Sequence, residues 1–396
     1  MKLIILFPGR LNHLKRLDVM VSMRLAGSWV LASALPLLAP CPTNGQVSEG
    51  ISATLQNAQY DLARDGRTFL IDESAKSAFF MLGEMHGDNE TPALLRVLWP
   101  EMWKLGYRHI AAELSPWAAT SLEFPDQGDV NAIQRSFSWT RSDVAFVAEQ
   151  RTGARAVLWG CDMEEPRPQA LIQALAAANP ANGELQSALT LTQGGYQRAA
   201  APGLLQHVRS AGAINDVTIG GVSLRNSIIR TLEIEVDRMS PNTRLQASTR
   251  REVLMKELLF AYWQSNGRPR VMLRFGGNHL HRGIDSRGVS TLGNFVAELA
   301  AANGDRVFNV VEFAGGGQIA LGGKSVDFAG NLDDPGLAFL ASIARHPATV
   351  FDLRLIRQTL HQVPEARRSA AEARLVYFAD SYDAAIFYRS VTPARP

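Results

Sequence analysis

Residues 79–90 read FFMLGEMHGDNE: four apolar residues, a glycine, and then a carboxylate and an imidazole separated by one methionine. A short apolar run that ends in turn residues is typical of a strand buried on both faces, as in the middle of a parallel sheet. Glu84 and His86 would then leave the sheet at its carboxyl edge, where open α/β folds bind their ligands. Thr91 and Pro92 follow, and they predict the N-cap and first turn of a helix.

Three further predicted strands also end in polar side chains that can move protons or bind ligands. They cover residues 107–114, 156–161 and 270–275, and their ends carry Glu113, Asp162 and His279. Because parallel strands have their carboxyl ends at one edge of the sheet, we expect these side chains to share a crevice with Glu84 and His86.

The order of the predicted elements indicates an α/β fold, with a mainly parallel sheet and flanking helices. Residues 168–267 show helical periodicity and few strand signals, which predicts a helical insertion over the carboxyl edge. Inside it, residues 249–252 (TRRE) have the pattern of a capping box and predict a helix start. An edge strand is expected near Thr68–Ile71.

The composition is that of a globular protein, with 46% hydrophobic and 20% charged residues in a chain of 396. Five of the 40 basic residues, but one of the 38 acidic residues, lie in the first 46 positions. The rest of the chain is therefore slightly acidic and has no basic stripe. This excludes nucleic acid as an expected partner and favours a small-molecule substrate.

The first 46 residues predict an export signal with an upstream extension. Arg24 precedes an apolar stretch over residues 25–39, which is shorter than the ~20 residues of a membrane-spanning helix. Residues 47–396 would then form the α/β domain of a periplasmic or secreted protein, although a disordered arm on a cytosolic protein is the alternative. Cys41 ends the apolar stretch and resembles a bacterial lipoprotein attachment site, so a lipid there would be the expected membrane link. Without Cys41, Cys161 has no disulfide partner.

Four segments together resemble the ordered motifs of the erythromycin esterase/ChaN-like superfamily. They are residues 82–87, the strand end at Glu113, residues 159–163 and residues 276–279. The resemblance implies that Glu84, His86, Glu113 and His279 form the site, with a histidine that activates water. The single residue between Glu84 and His86 matches the ChaN-like group. The segment around Asp162 is closer to the esterases, so both branches stay open.

The leading hypothesis is hydrolysis of an ester or lactone by an activated water, with no required cofactor. His86 would accept the proton, Glu84 or Glu113 would orient it, and His279 would donate to the oxyanion or the leaving group. The G-x-S-x-G pattern of a serine nucleophile is absent from the chain. Three further residues are predicted to bind substrate, with the arginine holding an anionic group: Asp162, His281 and Arg282.

Two alternative functions stay open. In the first, Glu84, His86, Glu113 and His279 hold a divalent metal ion that activates the water. In the second, the protein is an exported haem carrier of the ChaN kind, with a histidine or tyrosine as the iron ligand.

Overall fold

The computed structural model describes residues 46–124, 156–164, 168–321 and 324–394, together with positions 139, 143, 146 and 149. Residues 1–45 of the predicted export signal, Cys41 among them, lie outside this part of the chain. The described residues form these strands: β1 (Gln59–Asp61), β2 (Phe79–Glu84), β3 (Tyr107–Ala112), β4 (Leu158–Gly160), β5 (Thr218–Ile219), β6 (Val222–Ser223), β7 (Arg270–Gly276), β8 (Val307–Ala314), β9 (Gly317–Leu321), β10 (Lys324–Phe328), β11 (Ala348–Asp352) and β12 (Ala384–Tyr388).

Eight of these strands form one sheet in the order β1-β11-β12-β8-β2-β7-β3-β4. The six strands from β12 to β4 run parallel to one another, whereas β11 is antiparallel to both β12 and β1. The predicted α/β fold with a mainly parallel sheet is therefore confirmed. β2 lies in the middle of the sheet with all six of its residues buried, as the apolar run at residues 79–82 predicts.

Helices cover the sheet and fill most of the connections. The α-helices are Glu49–Asn57, Asp65–Ala75, Glu90–Lys104, Pro116–Glu123, Gln169–Ala177, Gly183–Leu191, Ala201–Ser210, Leu224–Asp237, Arg244–Ser265, Gly277–Leu280, Leu292–Ala302, Pro335–Ile343, Arg354–Gln362 and Ala370–Ser381; short 3₁₀ turns are Arg198–Ala200, Pro241–Thr243 and Glu365–Arg367. No helix in the described ranges is long and apolar enough to span a membrane.

The helices between β4 and β7 form the expected insertion. Most of them pack around an apolar cluster of their own, which includes Leu171, Leu204 and Ile228. The last helix, Arg244–Ser265, instead lies along the main sheet, where Trp263 contacts Phe79 near the start of β2. The amino-terminal half of this helix thus reaches the carboxyl edge of the strands.

Three local predictions are wrong, each for a physical reason. Residues 68–71 belong to the helix Asp65–Ala75, because Gly66, Leu70, Glu73 and Ser74 are buried at helical spacing; the edge strand is β1. The helix after β2 begins at Glu90, and the carboxylate of Asp88 accepts a hydrogen bond from the Thr91 amide.

The third wrong prediction is the capping box at residues 249–252. The helix already begins at Arg244, so the Thr249 hydroxyl donates to the Leu245 carbonyl inside the helix. The Glu252 side chain is therefore not used as a cap for this helix, and it points to the carboxyl edge of the sheet.

Candidate active site

The structure brings together the four residues that the sequence assigns to a site. Glu84 is the last residue of β2 and pairs with Gly276 of β7, while Ala112, just before Glu113, pairs with Arg274 of β7. The short helix Gly277–Leu280 follows β7 directly and carries His279. Three adjacent strand ends thus place two carboxylates and two imidazoles at one edge of the sheet.

His86 lies between two buried carboxylates. Its Nδ1 is 3.3 Å from Glu84 Oε1, and its Nε2 is 3.9 Å from Glu113 Oε2. The imidazole is 32% exposed, whereas the side chains of Glu84 and Glu113 are at most 1% exposed. Burial opposes the charged form of His86, but the carboxylates of Glu84 and Glu113 outweigh it and raise the pKa of His86 above 6.5.

Gly276 allows this close approach because it has no side chain. A Cβ at this position would lie 2.7 Å from His86 Nε2. The Gly276 amide donates a 2.7 Å hydrogen bond to Glu113 Oε2, which fixes that carboxylate beside the imidazole.

His279 is buried between two other carboxylate oxygens. Its Nδ1 lies 2.6 Å from Glu252 Oε1, and its Nε2 lies 3.4 Å from Glu113 Oε1. Burial alone would lower the pKa of His279, but Glu113 and Glu252 raise it to about 9. His279 is therefore an imidazolium at neutral pH, and together with Arg251 and His86 it holds the pKa of Glu113 well below its usual range despite the burial of that carboxyl.

Three arginines pair with the carboxylates of this group. Arg274 is 1% exposed; its Nε donates to Glu84 Oε2 at 2.5 Å, and its Nη1 donates to Asp143 Oδ1 at 2.7 Å. Arg251, on the last insertion helix, donates to Glu113 Oε1 at 2.8 Å and to both oxygens of Asp162. Arg287 adds a third contact, donating to Glu252 Oε1 at 2.9 Å. These arginines and Glu252 are not among the site residues predicted from the sequence.

The three residues predicted to bind substrate are in different places. Asp162 belongs to the group through Arg251, so it holds an arginine in position. Arg282 forms a bidentate ion pair with Asp383, and His281 is buried against the rings of Tyr377 and Tyr382. The structure does not bring His281 and Arg282 into the group around His86, and these contacts give no support to their predicted role in substrate binding.

Within the part of the chain that the structure describes, no group of three or more histidine, cysteine, aspartate or glutamate side chains is arranged to hold a metal ion. Glu84 and Glu113 are instead held by arginines.

Cys161 is buried, and its burial raises the pKa of its thiol well above the usual range, so it is not a thiolate here.

Solved structures share the architecture over most of the chain. The erythromycin esterase EreC, a mutant in its open conformation, is similar with a TM-score of 0.55 and 13% identity, covering 86% of this chain and 97% of that one. The chain has an erythromycin esterase-like fold. A protein described as a succinoglycan biosynthesis protein gives a TM-score of 0.58 at 11% identity, covering 88% of this chain and 98% of that one.

A Bacillus cereus protein has the same fold, with a TM-score of 0.56 and 12% identity over 89% of this chain and 99% of that one. No family model matches the chain, and no curated protein matches it by sequence. At these identities the similarity shows the erythromycin esterase-like fold and carries no residue roles.

Proposed function

We propose that this protein is a hydrolase that activates a water molecule at His86, with an ester or lactone as the favoured substrate class. The observation that carries the proposal is the position of His86: it is the more exposed of the two histidines in the group, and it lies between two buried carboxylates at the carboxyl edge of a parallel sheet. The erythromycin esterase-like fold supports a hydrolase.

In the proposed mechanism, neutral His86 removes a proton from water while Glu84 orients the imidazole through Nδ1. Because the pKa of His86 is raised, the neutral form becomes abundant only above pH 6.5. The two histidines thus have opposite working protonation states, since His279 acts as the cation.

His279 supplies the positive end of the site. Its Nδ1 is held firmly by Glu252, whereas its Nε2 has the longer contact of 3.4 Å to Glu113. We propose that the Nε2–H group donates a hydrogen bond to the oxyanion that forms when water attacks the carbonyl. When this intermediate collapses, the C–O bond to the leaving group breaks, and protonated His86 returns its proton to the departing oxygen. Glu113 and Arg251 keep this imidazolium in place, and the mechanism requires no cofactor.

The apolar stretch at residues 25–39 supports export of this hydrolase to the periplasm or the cell exterior, with Cys41 as the position for a lipid anchor.

The decisive experiment compares His86→Ala with His207→Ala in the hydrolysis of p-nitrophenyl acetate and a simple lactone. His207 is a partly exposed histidine in the insertion that pairs with Glu184, so it controls for loss of an imidazole elsewhere. We expect H86A to lose about 10²–10⁴-fold in kcat/KM, as for removal of a general base, with an unchanged Tm. Full activity of H86A would contradict the mechanism.

The same assay separates the other two hypotheses. Loss of activity with EDTA and recovery with Zn²⁺ would favour the metal-dependent hydrolase. A Soret shift on haem titration, in a protein without hydrolytic activity, would favour the haem carrier.

A further inference from the structure

A second group of buried acidic side chains lies on the other side of β2 from Arg274. Glu312 is on β8, Asp88 is in the turn after His86, and Tyr388 is on β12; all three are at most 5% exposed. Thr91, in the first turn of the helix Glu90–Lys104, lies between the two carboxyl groups. The mechanism proposed for His86 does not use these residues.

The contacts in this group leave one hydrogen too few for two ionised carboxylates. The Thr91 hydroxyl oxygen lies 2.6 Å from Glu312 Oε2 and 3.2 Å from Asp88 Oδ2. A hydroxyl has one hydrogen and an ionised carboxylate can only accept. Since a single hydrogen can point directly at only one acceptor, both contacts are full hydrogen bonds when one of the two carboxyl groups carries a proton and donates it to the Thr91 oxygen.

The surroundings of the two acids decide which of them holds this proton. Asp88 Oδ1 accepts from the Thr91 amide at 2.7 Å, at the positive end of the helix Glu90–Lys104, which favours an ionised Asp88. The hydrogen-bond partners of Glu312 are two hydroxyls, those of Thr91 and Tyr388. Among the described residues, neither acid has a lysine, arginine or histidine within ion-pair distance.

We propose that Glu312 is a positioning residue: its protonated carboxyl donates to the Thr91 hydroxyl, which donates to Asp88, and this chain fixes the turn that follows His86. The backbone of the turn is held in parallel, because the Gly87 carbonyl accepts from the amides of Ala320 and Ala394 at 2.7 and 2.8 Å. The effect on turnover rests on the proposed function, whereas the proton on Glu312 can be tested without it.

The pH dependence has a definite sign. Burial and the nearby carboxylates of Asp88 and Glu84 raise the pKa of Glu312 to about 8, although the hydroxyls of Thr91 and Tyr388 act in the opposite direction. Asp88 itself faces Glu84 and Glu90 and has a pKa raised by burial to about 6. Because the pKa of Glu312 in the folded protein exceeds its unfolded value of ~4.3, its stabilisation is complete below that value. It is then lost as the pH rises to about 8.

Glu312→Gln keeps the hydrogen-bonding side chain but removes its ionisation, whereas Glu312→Ala removes both. The carboxamide of E312Q can donate to Thr91 and accept from Tyr388 at every pH, as the protonated acid does. We expect the Tm of E312Q minus the Tm of the wild type to increase as the pH rises from 5 to 8.5. We expect E312A to have a lower Tm than E312Q over this whole range.

Infrared difference spectra between the wild type and E312Q at pH 6 give an independent readout. They should show the carbonyl band of a protonated carboxyl in the wild type alone. Absence of that band, or a Tm of E312Q that falls with pH in parallel with the wild type, would overturn the assignment of the proton.

The rate of p-nitrophenyl acetate hydrolysis tests the positioning role. E312A should lose activity at pH 7, E312Q should recover it, and the alkaline decline of E312Q should begin at higher pH than that of the wild type. An E312A protein with wild-type kcat and an unchanged pH profile would overturn this role. If the wild type hydrolyses no ester or lactone, the proposed function fails, while the thermal and infrared results still decide where the proton lies.

Discussion

The two sides of β2 neutralise buried carboxylates in different ways. On the β7 side, Glu84 is paired with Arg274, and Glu113 is paired with Arg251 and His279. On the β8 side, Glu312 and Asp88 have hydroxyls and a backbone amide as their partners, and the pKa of each is raised by burial. The first two acids are paired with cations, whereas in the second group we propose a proton on Glu312 beside an ionised Asp88.

This difference fits different tasks. The carboxylate of Glu113 keeps its charge beside the two imidazoles at any pH above its low pKa. A protonated acid instead donates a hydrogen bond, and it does so only up to a certain pH. Strand β2 therefore separates carboxylates that are paired with cations around His86 from acids whose described partners are hydroxyls and a backbone amide, and which support the turn after His86.

The largest effect is expected when a cation is removed from the β7 side. Arg274→Met removes the arginine that pairs with the buried carboxylates of Glu84 and Asp143, which costs ~3–5 kcal/mol in the free energy of unfolding. Urea unfolding at pH 7 measures this cost. Arg270→Met is the control, because Arg270 lies on the same strand but donates to the carbonyls of Ala75 and Leu105. Equal costs for R274M and R270M would show that Arg274 does not compensate these charges.

A smaller effect is expected at Glu252. Glu252→Gln removes one of the two carboxylates that raise the pKa of His279, so that pKa should fall below 9. The free energy of unfolding at pH 7 should fall by ~1–3 kcal/mol. The imidazole proton resonances of His279 measure the pKa.

The same variant should also change the pH dependence of stability. Because the folded pKa of His279 is raised, its stabilisation is present below ~6.5 and is lost as the pH rises to about 9, and E252Q should flatten this decline. Glu257→Gln is the control, since Glu257 lies on the same helix in an exposed pair with Arg230. An unchanged pKa of His279 in E252Q would show that the Glu252 carboxylate does not raise it.

The smallest effect is expected on the neutral side. Tyr388→Phe removes one hydroxyl donor from Glu312 and should cost ~0.5–1.5 kcal/mol in thermal unfolding. Loss of this donor also raises the pKa of Glu312, so the decline of Tm with pH should move to higher pH. Tyr377→Phe is the control, because the Tyr377 hydroxyl has no hydrogen bond to another described residue. A decline at lower pH in Y388F would contradict a hydrogen bond to the Glu312 carboxylate.

The sequence was sufficient to predict the sheet and the group of Glu84, His86, Glu113 and His279. Apolar runs that end in polar residues identify parallel strands, and the geometry of such strands brings their ends together. The pairing residues were not predicted, because they depend on which elements lie above those ends. Arg274 could have been found, because an arginine inside the apolar run VMLRF of a predicted buried strand favours an acidic partner.

Arg251 and Glu252 were harder to find. The pattern at residues 249–252 predicted a helix start. The helix begins five residues earlier, at Arg244, so both side chains lie inside it, on the part that reaches the sheet. The protonated state of Glu312 also depends on contacts with Thr91 and Tyr388, which come from distant parts of the chain.

The hydrogen bonds between the His86 turn and the last described residues have a consequence for synthesis. The Asn89 amide donates to the Thr392 carbonyl, and the Asn89 side chain donates to the Pro393 carbonyl, 304 positions away. A growing polypeptide cannot complete the turn until the ribosome has added these residues. Premature termination just after β12 would therefore yield a protein that has its whole sheet but lacks the hydrogen bonds from residues 392–394 to the turn after His86.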